Sequence, residues 1–587
     1  MEPQMNELPL VQISNVSKVF TGGKSPALDS ISVDIKPGCI TGLAGPDGSG
    51  KTTLMRLIAG LMIPSSGTLT VCGFDVVNNP EEIHEIAGYM PQRFGLYEDL
   101  TVIENLNLYA DLQGVSQDER SGVFNRLLDF TDLKRFQKRL AGALSGGMKQ
   151  KLGLMCALIR RPKLLLLDEP SVGVDPVSRR ELWKIVRELA GQETGVVWST
   201  AYLDEAERCD EIILLSEGKI LYSGIPKKLT ASMKGRSFLV KESASGRRSI
   251  LDSAMKNDSV RDGVIQGGSV RLVLKSGADS SLIESLIPGR KLAAVPAEPR
   301  FEDAFVDLLQ HRHAHKESGV ASMIRPVHAD SRTAVQAEGL TKCFGDFKAA
   351  DDISFSIPPG RIFGLLGPNG AGKSTTFKMM CGLLKPTAGR AAVNGIDLEN
   401  APGRARSCIG YMAQKFSLYS NLSVAQNMDF FAGVYGLYGS GKRKTIGQLV
   451  DMFDLAQYID STAGELPLGF KQRLALSCSI MHNPVVLFLD EPTSGVDPLT
   501  RREFWNHMNA MVEKGVTVVV TTHFMEEAEY CDEIGLIHQG RMIASGSPDM
   551  LKDKVRSVEI PEPTLEDAFV ELIKKTGPGN SGIPARE

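Results

Sequence analysis

No apolar run in the chain approaches the roughly 18 residues that a membrane-crossing helix needs. Runs such as Leu164 to Leu167 and Val485 to Leu489 have the length of buried strands. An excess of basic charge is also missing. Sixty-six lysines and arginines stand against 70 aspartates and glutamates, for a formal charge of −4, so the sequence carries no electrostatic footprint for nucleic acid. Nine cysteines include no C-x-x-C pair, which removes the usual spacing of a zinc or redox site. Cys209 and Cys531, each just before an aspartate, read as helix-packing residues. Met1 to Leu10 holds Glu2 and Glu7 without a basic stretch leading into an apolar one, and so does not read as a secretory signal.

What the chain does have is a repeat. Gly45-Pro46-Asp47-Gly48-Ser49-Gly50-Lys51-Thr52 returns 322 residues later as Gly367-Pro368-Asn369-Gly370-Ala371-Gly372-Lys373-Ser374. This spacing cradles a triphosphate: the glycines let backbone N–H groups approach, the lysine neutralises β/γ oxygens, and the final hydroxyl reaches Mg²⁺. The offset also links Gln92 with Gln414, Asp168 with Asp490 and Gly224 with Gly546, a register over about 200 residues that marks a duplicated domain.

Ile40 to Ala44 and Ile362 to Leu366 read as strands running into the loops, and Thr53 to Met62 and Thr375 to Leu384 as the helices that the loops open. Near-continuous apolar runs end in Asp168-Glu169 and Asp490-Glu491, the pattern of strands buried on both faces that deliver two carboxylates. The first carboxylate can hold Mg²⁺ and the second polarise an attacking water. An apolar run ending in Asp-Glu is by itself a strand and a turn; the phosphate loop upstream favours catalysis.

Leu144-Ser145-Gly146-Gly147-Met148-Lys149-Gln150 aligns with Leu466-Pro467-Leu468-Gly469-Phe470-Lys471-Gln472. With Val174 to Pro176, Val496 to Pro498 and Thr521-Thr522-His523, these motifs resemble ABC transporter ATPases, and more narrowly the tandem ATP-binding subunit of bacterial ABC-2-type multidrug exporters. The repeated tails Pro299 to Phe305 and Pro563 to Phe569 resemble the C-terminal element of drug-resistance ATPases. The resemblance implies an α/β fold with two P-loop ATPase domains in tandem. ATP would be bound by Gly45, Gly48, Gly50, Lys51, Thr52, Thr53 and by Gly367, Gly370, Gly372, Lys373, Ser374, Thr375. Mg²⁺ would be held by Thr52, Gln92, Asp168 and by Ser374, Gln414, Asp490. Glu491, His523, Gln414, Lys373 and Glu169 would act in hydrolysis. It further implies that the halves pair head to tail, so that Ser145, Gly146 and Gly147 complete the site of the other half's loop.

Departures from the pattern fall unevenly. Pro467 has neither hydroxyl nor backbone N–H, and Leu468 places a side chain where a phosphate should approach. Ala201 stands where His523 stands in the second half. Under head-to-tail pairing both defects fall on the Lys51 site, so one competent and one degenerate site are expected.

Phe20 and Phe344 resemble the family's adenine-stacking aromatic, with core packing as the other reading. Arg93 to Tyr97 and Lys415 to Tyr419 fall where the family touches a permease, core packing again being the alternative. Residues 1–234 are expected as the first ATPase domain, 235–310 as a small α+β accessory lobe and tail of the first half, 311–333 as a linker carrying His311, His313 and His315, and 334–587 as the second domain. Within the lobe, strands over 237–240 and 269–274 and helices near 248–256 and 280–286 are expected. The resemblance implies two ABC-2-type permease subunits as partners, with a periplasmic adaptor beyond them a further candidate, membrane contact only through permeases, and a place at the cytoplasmic face of the bacterial inner membrane. The alternatives are a ribosome-acting ATPase of the ABC-F kind and a tandem importer ATPase. The first would carry two intact signatures and a long charged arm; the Glu-Asp-Ala-Phe tails argue against the second.

Overall fold

The computed structural model describes residues 9–20, 25–92, 95–191, 194–242, 244–286, 292–310, 319–327, 333–414, 417–522, 524–558 and 560–576. They fall into two compact units, one formed by Met1–Lys234, Pro299–Arg312 and Asp497–Leu499, the other by Gly235–Glu298, His313–Val496 and Thr500–Glu587.

In the first unit the strand Ile40–Ala44 is buried at every residue, Thr41 included, as in a strand covered on both faces. It pairs in parallel with Gly195–Thr200 on one side and Glu211–Ser216 on the other. The full order is Lys219–Gly224, Glu211–Ser216, Ile40–Ala44, Gly195–Thr200, Leu164–Asp168, Ala87–Met90. Parallel neighbours need crossovers. Pro176–Ala190 provides the one between Leu164–Asp168 and Gly195–Thr200, and its N-cap Asp175 accepts from the Ser178 N–H. An antiparallel sheet of Leu28–Ile35, Val11–Lys18, Ser66–Val71 and Phe74–Asp75 completes the unit. Because Ile40–Ala44 and Leu164–Asp168 run the same way, the phosphate loop and the carboxylates emerge at one edge of the parallel sheet.

The second unit repeats this plan, with Ile409–Met412, Val486–Asp490, Thr517–Thr522, Ile362–Leu366, Glu533–His538 and Arg541–Gly546 in its six-stranded sheet. The helices after the loops run over Lys51–Ile58 and Lys373–Met380, two residues earlier at the start than expected and four earlier at the end. Gly60 and Gly382, at φ 69° and 67°, turn the chain out of the helix.

The lobe folds as strand Ser237–Lys241, helix Ala244–Met255, strands Val260–Gln266 and Ser269–Leu274, helix Ser281–Glu284 and strand Ala294–Pro296. The sheet order is second, third, first, fourth strand, antiparallel throughout, the split β-α-β arrangement. Two of its strands were not expected from the sequence. Its grouping also differs from the expectation of a single 235–310 accessory piece of the first half. The lobe belongs to the second unit, where Val264 joins the core. The helix Phe301–Gln310 belongs to the first unit and packs on Leu203–Arg208 and Pro226–Ala231. Buried ion pairs described below account for the lobe's choice. Within the expected linker, Val320 and Ile324 are buried in the second unit's core, while His311, His313 and His315 lie outside the described residues.

Candidate nucleotide-binding sites

Each phosphate loop is walled on one side by neighbouring backbone. Gly50 and Gly372 stand at φ 105° and 102°, a conformation that L side chains rarely adopt. A Cβ at Gly50 would meet the Ala27 carbonyl oxygen at 2.5 Å, and one at Gly372 the Ala349 carbonyl oxygen at 2.2 Å. At Gly48 and Gly370 a Cβ would meet nothing within 4 Å; this is the open side. Lys51 Nζ donates to the carbonyls of Gly45 at 2.8 Å and Pro46 at 3.0 Å. Lys373 does the same to Gly367 at 2.7 Å and Pro368 at 3.1 Å. Thus both loops, with a buried ammonium held against them, fit an anionic phosphate chain alike.

After Asp168 and Asp490 the backbone turns sharply, with Glu169 at φ 51° and Glu491 at φ 47°. Holding a glutamate in this left-handed region costs roughly 1–2 kcal/mol each, and the turn directs it toward a glutamine 77 residues upstream. Gln92 Nε2 donates to Glu169 Oε2 at 2.6 Å, and Gln414 Nε2 to Glu491 Oε2 at 2.9 Å. Around the aspartates the halves differ. The Thr521 hydroxyl donates to Asp490 Oδ1 at 2.5 Å and accepts from the Glu491 N–H at 2.9 Å. Ser199 takes its place in the first half: neither its buried hydroxyl nor Asp168 Oδ1 completes a well-aligned hydrogen bond, although the Thr52 and Ser199 hydroxyls lie near enough to draw the Asp168 carboxyl down against the rise that burial causes. Asp168 Oδ2 accepts weakly from the Tyr89 hydroxyl at 3.4 Å. A buried carboxylate oxygen without a donor is the donor chemistry that suits a divalent cation.

Burial pushes Glu169 up to about 7; Lys51 opposes this, and Asp168 and Asp47 add to it. The folded value lies above the ordinary 4.5, so the folded protein holds the extra proton across that window. Nucleotide-free stability therefore falls as pH rises from about 4.5 to about 7, by about 3 kcal/mol. Glu169→Gln is expected to raise the thermal midpoint of the nucleotide-free protein at pH 8 and to leave it unchanged near pH 4.5. A pH series of unfolding scans checks this, and an equal shift at both ends would refute it. Burial raises Asp490 as well, the Glu491 charge adding to it.

The signature segments open aligned helices, Gly146–Leu158 and Leu468–Ile480. At the first, the Ser145 hydroxyl accepts from the Met148 N–H as an N-cap; at the second, Pro467 gives no side-chain cap and Leu468 is exposed. Ala201 is buried, and His523 lies outside the described residues. Phe20 and Phe344 are 45% and 53% exposed, which removes the core-packing reading. Tyr97 and Tyr419 are also exposed, while Arg93, Phe94, Lys415 and Phe416 lie outside the described residues.

The sequence reading passed over Glu205 and Glu527. Glu205 Oε2 accepts from the hydroxyls of Ser171 and Thr200 at 2.8 and 2.7 Å and from Trp198 Nε1 at 3.0 Å. Glu527 accepts from Thr493 and from Thr522 at 2.7 Å, with Arg501 Nε 3.2 Å away. Thr200 and Thr522 in turn accept from the backbone N–H of Tyr202 and Phe524, so each buried glutamate anchors the end of its strand. Recurrence at the 322-residue offset, which Tyr89 and Tyr411 share, was the signal available.

A family model described as ABC transporter matches residues 28–172 and 350–494. The chain belongs to this family: it is an ATP-binding, ATP-hydrolysing protein with two cassettes in tandem. It is 56% identical over 565 residues to the "Probable multidrug ABC transporter ATP-binding protein YbhF" of Escherichia coli K12, covering 96% of this chain and 98% of that relative. It is 38% identical over 249 residues to Nod factor export ATP-binding protein I of Burkholderia pseudomallei strain 1710b, covering 41% of this chain and 82% of the relative. Over 243 residues it is 37% identical to a daunorubicin resistance ATP-binding protein of Streptomyces coeruleorubidus, covering 41% and 76%.

Proposed function

We propose that the chain is the ATP-driven motor of a bacterial exporter, working with two separate ABC-2-type permease subunits at the cytoplasmic face of the inner membrane. The observation that carries this is the twofold presence, in one chain, of a phosphate loop, a strand-end Asp-Glu pair and a glutamine bound to the glutamate. Export is supported by relatives named for multidrug transport, Nod factor export and daunorubicin resistance. Among the described residues no helix is long and apolar enough to cross a membrane, so the exposed Tyr97 and Tyr419 beside the glutamines are the proposed permease contacts.

In the second site Lys373 and the loop amides hold the β- and γ-phosphates, and Ser374, Gln414 and Asp490 would hold Mg²⁺, which when bound would supply positive charge against the phosphates. Glu491 takes a proton from water as its oxygen attacks the γ-phosphorus and the bond to the β,γ-bridging oxygen breaks. Gln414, already bound to Glu491, orients that water, and His523 lies across the γ-phosphate in the family's arrangement. The first site, using Thr52, Gln92 and Asp168 in the same way, binds nucleotide but hydrolyses poorly. It lacks the switch histidine and, in the head-to-tail pairing of the family, would meet Pro467-Leu468.

Affinity capture of the tagged chain from detergent-solubilised membranes, followed by mass spectrometry, is expected to recover permease subunits. Recovery of ribosomal proteins in their place would overturn the exporter reading, as would a wholly soluble protein in cells that co-express the neighbouring membrane proteins.

A further inference from the structure

The two halves use one aspartate in the same way but charge-balance it differently. Asp210 Oδ2 accepts from the Ile40 N–H at 2.8 Å, and Asp532 Oδ2 from the Ile362 N–H at 2.9 Å. Each aspartate thus clamps the root of the strand that ends in a phosphate loop. In the first half the counterion is internal: Arg187 Nη1 reaches both Asp210 oxygens at 2.7 Å, and its Nη2 donates to the Arg208 carbonyl at 2.7 Å. At the aligned position the second half has Asn509. Its aspartate is paired with the lobe: Arg247 Nη2 lies 2.9 Å from Asp532 Oδ1 and Arg248 Nη2 2.7 Å from Asp532 Oδ2. Arg248 Nε also donates to Asn509 Oδ1 at 3.2 Å. Arg361, the remaining cation, comes only to 3.9 Å.

Around this centre the lobe is seated by further contacts. Asp262 pairs with Arg502 at 3.2 Å, the Gly267 N–H donates to the Glu529 carbonyl at 2.9 Å, and the Gly268 N–H to Asp549 Oδ2 at 2.7 Å. The first half offers no equivalent seat. Arg187 already fills the place the lobe's arginines would take, and Lys227 replaces Asp549.

We propose that the lobe is a built-in partner of the second ATPase half, and that Arg247 and Arg248 are positioning residues for hydrolysis there, supplying the guanidinium charge that Asn509 gave up. The inference rests on the reading of the second site as the hydrolytic one. The Asp532 side chain is 2% exposed, and a carboxylate so buried, left with Arg361 at 3.9 Å as its counterion, draws in water or swings toward that guanidinium. Either response loosens its hold on Ile362. Ile362–Leu366 leads directly into Gly367, and Cys531 packs so tightly beside it that a Cβ at Gly364 would lie 2.8 Å from Sγ. Loss of the arginine pair therefore displaces the loop holding Lys373 and the segment preceding Asp532, while the first half keeps its own clamp.

The test compares three purified full-length chains by steady-state ATPase kinetics and by hydrogen exchange over residues 235–298. Arg247→Ala/Arg248→Ala is expected to lower kcat roughly tenfold or more, with a smaller change in KM, and to deprotect the lobe. Adding Asn509→Arg to it is expected to recover most of kcat, as Arg187 serves the first half, with the lobe still deprotected. Asn509→Arg alone, which sets a rival guanidinium against Arg248, is expected to loosen the lobe while keeping kcat. A double-alanine chain that keeps full kcat with its lobe deprotected overturns the proposal, as does loss of kcat in Asn509→Arg alone. Glu491→Gln, run alongside, separates the two readings. Full activity in that variant sinks the second-site assignment whatever the arginines do.

Discussion

Glu491→Gln is expected to remove most steady-state ATP hydrolysis, roughly 10²–10³-fold, whereas Glu169→Gln is expected to cost no more than a few-fold. The two glutamates are near twins locally. Each follows a strand-end aspartate, each sits in the left-handed region, and each accepts from a glutamine. The expected difference comes from their surroundings. Glu491 has its backbone N–H bound to the Thr521 hydroxyl, which also donates to Asp490, so its aspartate and glutamate are tied together. In the first half the Glu169 N–H is held by the Ser199 carbonyl alone, at 3.1 Å, and the Ser199 hydroxyl does not bridge aspartate and glutamate as the Thr521 hydroxyl does. On the proposed head-to-tail reading, Ala201 and Pro467-Leu468 would remove the remaining stabilisation of the γ-phosphate at the Lys51 site. ATPase rates of the two purified variants at saturating Mg-ATP decide the matter, and equal losses would show the sites to be equivalent or alternating.

The parts of the fold written as contiguous chemistry were readable from the chain. The phosphate loops, the strands Leu164–Asp168 and Val486–Asp490, and the helix opened by Ser145 all announce themselves through glycine spacing, unbroken apolar runs or a capping hydroxyl. Two lobe strands did not. Val260–Gln266 is interrupted by Arg261, Asp262 and Gly263, although Asp262 is buried and its charge is met by Arg502. Ala294–Pro296 is three residues ending in proline, too short for any period to show. The lobe's allegiance was hidden for another reason, since its deciding ion pairs join residues more than 280 positions apart. Asn509 and Asp549 were legible traces, because the repeat supplies their counterparts, Arg187 and Lys227, for comparison. At the sites, the left-handed turn at each glutamate is set by the strand edge and could not be read from Asp-Glu alone. The buried Glu205 and Glu527 were overlooked because a carboxylate in an otherwise charged helix looks solvent-facing until its hydroxyl partners are placed.

The Glu491→Gln chain mixed with Mg-ATP is expected to trap two nucleotides per molecule, not one. The residues that grip the phosphate chain are kept in both halves, even though Asp47 stands where the second loop has Asn369. Gly50 and Gly372 differ by 3° in φ, and the lysine contacts to the two loops agree within 0.1 Å. Both lysines are buried against their loops. The first loop does carry Asp47 where the second has Asn369, but burial pushes the Asp47 carboxyl up to about 6, which eases its neutralisation beside a triphosphate, and the Thr52, Gln92 and Asp168 set keeps its capacity for Mg²⁺. In the proposed reading the departures at Ala201 and Pro467-Leu468 bear on attack at the γ-phosphate, not on the loop that grips the phosphate chain. With Glu491 removed from the competent site, ATP there is not turned over, and the poor site holds its own nucleotide through its intact loop. Rapid gel filtration followed by acid release and quantification of nucleotide gives the stoichiometry directly. A value of one would mean that the Lys51 loop does not bind in the trapped state, and the first half would then be a structural partner of the second instead of a nucleotide-holding one.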